Sequence, residues 1–121
     1  GGGIATRSKG TIKTPSARDI DMGAGGGSRS AADIMKVVRQ RTPGLRHIYN
    51  KYLKKQPGFV GKVTVRFIIA PGGDVITISI ASSSTGYSGF DNAVKNAVKR
   101  WTFSKVKSGY TAVTIPFTFS E

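Results

Sequence analysis

Between Gly61 and Ser82 the chain alternates apolar and polar residues along two stretches separated by Pro71-Gly72-Gly73-Asp74. A period of two puts Val63, Val65, Phe67 and Ile69 on one side of an extended strand and Lys62, Thr64 and Arg66 on the other. Ile76, Ile78 and Ile80 repeat the pattern in the second stretch, with Val75, Thr77 and Ser79 opposite. The turn between them is well formed chemically, because proline presets φ and glycine accepts positive φ. Two such strands, about Gly61–Ala70 and about Asp74–Ser82, need a cover over one face only. The remaining chain has to supply it.

Three helical patterns can do so. Ser30 and Asp33 have the spacing of a capping box, and Ile34, Val37, Val38 and Arg41 follow at helical intervals. Thr42-Pro43-Gly44 breaks this pattern, and a second helix is predicted from about Pro43. Its apolar stripe is Leu45, Ile48, Tyr49, Tyr52 and Leu53, and Gln56-Pro57-Gly58 ends it. Ser88 and Asp91 have the spacing to cap a third helix that carries Phe90, Val94, Ala97, Val98 and Trp101 on one side. A last strand, about Tyr110–Ser120, turns Val113, Ile115, Phe117 and Phe119 inward. The predicted fold is α+β in the order α-α-β-β-α-β. A right-handed crossover gives a three-stranded antiparallel sheet, order two-one-three, with the helices on one face. Strand three is then an edge, and Pro116 fits an edge because it lacks the N–H that a central strand uses.

Residues 1–28 are rich in Gly, Ser, Thr and Lys and are expected to form a flexible linker, leaving 29–121 as the domain. The chain starts Gly1-Gly2-Gly3 without a methionine, so targeting and anchoring segments are expected upstream. No stretch approaches the length of a membrane span. With no cysteine, disulfides, thiolate metal sites and cysteine nucleophiles are excluded. The formal net charge is +13, of which residues 1–60 carry +9. Such an excess attracts polyanions without selecting among them. A basic nucleic-acid- or polyanion-binding domain is therefore the alternative reading. Against it, an RNA-binding sheet needs aromatics on its open face, where this chain has Lys62, Thr64, Arg66, Thr77 and Ser79.

Catalytic equipment is sparse. His47 has no Cys, Asp or Glu in a ligand or dyad pattern, Asp33 and Asp91 read as helix caps, and Ser82-Ser83-Ser84 lacks a nucleophile context. Gly23 to Ser28 follows no strand and does not form a dinucleotide loop. No catalytic residue, metal ligand or cofactor is assigned. Trp101 is expected in the core, and Tyr49 and Tyr52 at its margin. Arg39, Arg41, Arg46, Lys51, Lys54 and Lys55 form a solvated basic face or a site for anionic lipid, cell-wall polymer or an acidic partner.

Three segments carry a resemblance: Gly61-Lys62-Val63-Thr64-Val65-Arg66-Phe67, the turn Pro71 to Val75, and Phe90-Asp91-Asn92-Ala93-Val94-Lys95-Asn96-Ala97-Val98-Lys99-Arg100-Trp101-Thr102-Phe103. They resemble the C-terminal domain of TonB-type energy transducers. Tyr49, Leu53, Gln56-Pro57-Gly58 and the ending Pro116-Phe117-Thr118-Phe119 are more similar to the AgmX/PglI-type branch associated with gliding motility. The resemblance implies a non-enzymatic periplasmic domain anchored in the inner membrane, where proton-driven motor proteins act on the anchor. It implies an outer-membrane or periplasmic partner added as a strand to the C-terminal edge, at Tyr110, Ala112, Val113, Thr114, Ile115 and Thr118. An open edge also permits a homodimer. Pro116 leaves a gap in the row of donors, so that pairing is expected near Ala112–Thr114 or not at all.

Overall fold

The structure, a computed structural model, describes residues 10–13, 20 and 30–120. They form β1 (Thr11–Lys13), α1 (Ala31–Lys55), β2 (Gly61–Ile69), β3 (Val75–Ser83), α2 (Ser88–Lys99) and β4 (Thr111–Ser120). The sheet is four-stranded in the order β1-β4-β2-β3, and every neighbouring pair is antiparallel. The expected three-stranded sheet is thus corrected. Its three strands keep their mutual order, but β1 pairs outside β4, so the last strand is not the edge it was expected to be: it has β2 on one side and, at Thr118–Ser120, β1 on the other. Three residues of the expected linker form this strand, and Ile20 from the same segment packs in the core. The rest of residues 1–28 lies outside the described residues.

The two helices expected before the sheet are one. Ser30 and Asp33 make the anticipated capping box, with Asp33 N–H donating to Ser30 Oγ at 3.2 Å and Ser30 N–H to Asp33 Oδ2 at 3.3 Å. From there α1 runs for 25 residues, straight through Pro43. A mid-helix proline costs about 3 kcal/mol and a glycine about 1 kcal/mol. Against that, Ile34, Met35, Val38, Leu45, Tyr49 and Leu53 form one continuous buried face. At roughly 1.5–3 kcal/mol per buried side chain, keeping that face whole outweighs the defect. The defect is also well placed, since Pro43 and Gly44 are exposed and the Thr42 hydroxyl donates to Val38 O at 2.7 Å. Pro43→Ala restores a backbone donor and is expected to stabilise the fold by about 1–3 kcal/mol, read as a higher midpoint in urea.

β2 runs unbroken between its neighbours. The β2–β3 register shifts between Thr64 and Val65 and between Ile68 and Ile69, which leaves Ala81 and Ile76 of β3 without a partner residue. The bulge at Ile76 changes which side chains enter the core. Val75, expected outward, is buried; Ile76, expected inward, is 51% exposed. Ile78 and Ile80 pack partly against the core as expected. At the start of α2 no side chain caps the helix, so the Ser88–Asp91 capping box is also corrected. Asp91 Oδ1 instead accepts from Thr85 Oγ1 at 2.7 Å, and Thr85 Oγ1 accepts from Tyr87 N–H at 3.1 Å. This ties the loop to the helix where a serine cap was expected.

The inner faces meet in one cluster. Val113, Ile115, Phe117 and Phe119 are fully buried, as the alternation requires. Trp101 lies in the core and packs edge-on to Phe117, with ring centroids 6.1 Å apart. Tyr49 is not marginal but fully buried, and its hydroxyl donates to Phe59 O at 2.6 Å. After α2 the chain straps down the hairpin turn. Phe103 N–H donates to Gly73 O at 2.8 Å and Val106 N–H to Pro71 O at 2.8 Å. Gly73 has φ +100° and a Cβ there would fall on the Phe103 carbonyl, so glycine is required both by conformation and by space.

Candidate functional site

Described residues place no three His, Asp or Glu side chains together for a metal, and His47 is exposed on α1. The sheet margins carry the candidate site. β3 forms one margin and β1 with β4 the other. The two bulges make β3 irregular, and bulges are a usual means of discouraging edge pairing. β4 is regular along its whole length.

The direction of its main-chain groups follows from one residue of β2. Lys62 O accepts from Ser84 N–H at 2.9 Å, and Lys62 N–H donates to Ser84 Oγ at 2.9 Å. Lys62 therefore turns both its groups toward the β3 side. Alternation then turns those of Val63, Val65 and Phe67 toward β4, where they meet Phe117, Ile115 and Val113. The intervening residues of β4 (Ala112, Thr114, Pro116 and Thr118) turn their groups outward. Pro116 sits where its missing donor costs the β2–β4 ladder nothing.

β1 occupies one end of that outer row. Lys13 pairs with Thr118, Ile12 with Phe119 and Thr11 with Ser120. Among the described residues no strand pairs with β4 on this side from Ala112 to Phe117. What β4 offers an incoming strand is the N–H and C=O of Ala112, those of Thr114, and the C=O of Pro116. Of the residues expected to meet a partner, Ala112 and Thr114 turn main-chain groups to this row. Thr118 does so too, but already has Lys13. Val113 and Ile115 have buried side chains and turn their main chain to β2. Tyr110, 60% exposed, stands just ahead of the strand.

The site's rigidity comes from behind. Phe119 and Phe90 rings lie 4.9 Å apart, Phe119 and Tyr49 5.3 Å, so β4 is pinned by both helices. Sequence reasoning missed β1. Thr11-Ile12-Lys13 carries one apolar residue among Gly, Ser, Thr and Lys, and a three-residue strand shows no period. The basic residues Arg39, Arg41, Arg46, Lys51, Lys54 and Lys55 are exposed along α1. Arg39 and Arg46, with Thr11, Ile12, Thr42 and Pro43, line a cleft of about 420 Å³ between β1 and the helix.

The model of the family described as Gram-negative bacterial TonB protein C-terminal matches residues 53–120. The solution NMR structure of the Helicobacter pylori TonB C-terminal domain is 26% identical. That likeness covers 81% of this chain and 89% of the other, with a TM-score of 0.62. No curated protein matches significantly.

Proposed function

Because this chain belongs to the family of Gram-negative TonB C-terminal domains, we propose that it is a force-transmitting interaction domain that takes up an extended partner segment at the outer edge of β4. Domains of this family are periplasmic, non-enzymatic interaction modules of envelope energy transduction. No helix among the described residues is long and apolar enough to cross a membrane; an inner-membrane anchor is part of the reading proposed here. A proton-driven inner-membrane motor acts through that anchor, and an outer-membrane or periplasmic protein supplies the strand. The Gln56-Pro57-Gly58 and Pro116-Phe117-Thr118-Phe119 segments support a place in the motility-associated branch.

The observation that carries the reading is the regular row of outward main-chain groups at Ala112 and Thr114, on a strand whose other side is locked into the core. Strand addition supplies affinity through the main chain and resists a pull along the strand, because its bonds share the load. The opposite margin is disqualified by its bulges.

The test is titration of the isotope-labelled chain with extended peptides from periplasm-facing segments of outer-membrane proteins. Amide shifts centred on Ala112 and Thr114 are expected, with smaller ones at Val113 and Ile115. Shifts confined to α1, with 110–117 silent, would mark polyanion attraction instead. A rise in molecular mass without added peptide would show a second copy taking the same edge.

A further inference from the structure

We propose that β1 is a resident occupant of the β4 edge, exchanged for an extended acidic segment of the partner, so that docking extends the paired edge from Ala112–Thr114 to Ser120. This rests on the edge reading above and adds to it a competitor and a partner chemistry. β1 lies outside residues 53–120, the part matched by the family model.

β1 is weakly held. It is three residues long, and only Ile12 of them packs against the core. Its side-chain bonds to β4 are at the exposed end, where Thr11 Oγ1 donates to Ser120 O at 3.1 Å. Thr11 and Ile12 line a cleft over the proline of α1. Among the described residues the ladder ends at Lys13. The next outward position of β4 is Pro116, which has no N–H to offer.

β1 also has the wrong charge for its place. Lys13 pairs with Thr118, and Thr118 pairs on its other side with Lys62, so two lysines flank one threonine about 10 Å apart on the same face. Arg39 and Arg46 line the cleft below. The described acidic residues, Asp33, Asp74 and Asp91, are placed elsewhere: in the α1 cap, at the hairpin turn and in the bond to Thr85. A segment with Asp or Glu at the place of Lys13 faces Lys62 across Thr118 where β1 places a second lysine, and it enters an edge whose neighbouring cleft carries Arg39 and Arg46.

Gly10 provides a clean handle. A Cβ at this position would fall on the Tyr49 ring, which is fully buried and held by its bond to Phe59. Gly10→Ala therefore dislodges β1 while leaving both β1 and β4 sequences intact. The opposite variant is equally direct. Thr11 Oγ1 and Ser120 Oγ are 3.3 Å apart and the chain has no cysteine, so Thr11→Cys with Ser120→Cys closes one defined crosslink.

Two peptides serve as probes: residues 8–16 of this chain, and the same peptide with Lys9→Glu and Lys13→Glu. Each is titrated into the labelled full chain as wild type, Gly10→Ala and the oxidised double-cysteine variant. The glutamate peptide is expected to shift the Thr118 and Ser120 amides and to bind Gly10→Ala about tenfold more tightly than wild type. It should also exceed the lysine peptide about tenfold at about 0.05 M salt, with the margin shrinking at about 0.5 M. The crosslinked chain should show no shift at Thr118 or Ser120. Binding at Ala112 and Thr114 that ignores the crosslink and never reaches Ser120 would overturn the exchange and leave the edge reading standing. Fast amide exchange at Thr118 and Ser120 in Gly10→Ala, with neither peptide bound by any variant, would overturn the exchange and leave the edge reading to its own titration at Ala112 and Thr114. Equal affinity for the two peptides at low salt would overturn the acidic partner.

Discussion

Phe90→Ala is expected to cost about 3–5 kcal/mol and to leave the domain at or beyond the limit of its stability. Phe90 is fully buried and is the ring that the other aromatics share. It lies 5.7 Å from Tyr49, 5.8 Å from Tyr52, 5.0 Å from Phe59 and 4.9 Å from Phe119. Those four come from α1, the loop after it and β4, so one truncation loosens the joint between both helices and the sheet. Domains of this size have roughly 5–15 kcal/mol in total. The expected drop in melting temperature is on the order of 15–30 °C by calorimetry. A drop of a few degrees would mean that the neighbouring rings close over the space and that the core is more plastic than its packing implies.

The second large effect concerns binding without stability. Thr114→Pro removes the N–H at the middle of the outward row, between Ala112 and the existing Pro116. The fold should tolerate it, because Thr114 turns its main chain away from β2 and Val113 before it is already extended. Thermal stability is expected to stay within about 1 kcal/mol of wild type. An incoming strand loses a donor and has a carbonyl left unpaired, which corresponds to about 10–100-fold in affinity for any peptide taken up at this edge. Calorimetric titration alongside a melting curve separates the two outcomes. Unchanged affinity with an unchanged melting curve would place the partner elsewhere, and the basic face of α1 becomes the next surface to probe.

Much of this architecture can be read along the chain because its signals are local. Val63, Val65, Phe67 and Ile69 alternate without error and are all buried. The same holds for Val113, Ile115, Phe117 and Phe119. Ser30 and Asp33 close their capping box within three residues. Trp101 is in the core because its helical phase puts it there. The errors share one cause: in each, a contact outside the short pattern overrode a local rule. Pro43 is a correct helix-stop signal that loses to a buried face running from Ile34 to Leu53. Ser88 and Asp91 have capping spacing, yet the helix already includes Ser88 and Asp91 accepts from Thr85 instead. The bulge at Ile76 exchanges the expected directions of Val75 and Ile76, and nothing in a Val-Ile pair says which will be buried.

The candidate site divides along the same line. Sequence alone determined that the final strand has one apolar face, that Pro116 must point its nitrogen away from a neighbour, and that this strand lies on the outer side of the pair from β2 and β3. Periodicity and the covalent chemistry of proline suffice for that. Only the tertiary structure decided that Thr11–Lys13 returns to cover Thr118–Ser120, 109 residues separating Thr11 from Ser120. A pairing so distant has no local signature, because its stability comes from a ladder already built and from one isoleucine, Ile12, half-buried against a core that the rest of the chain assembled.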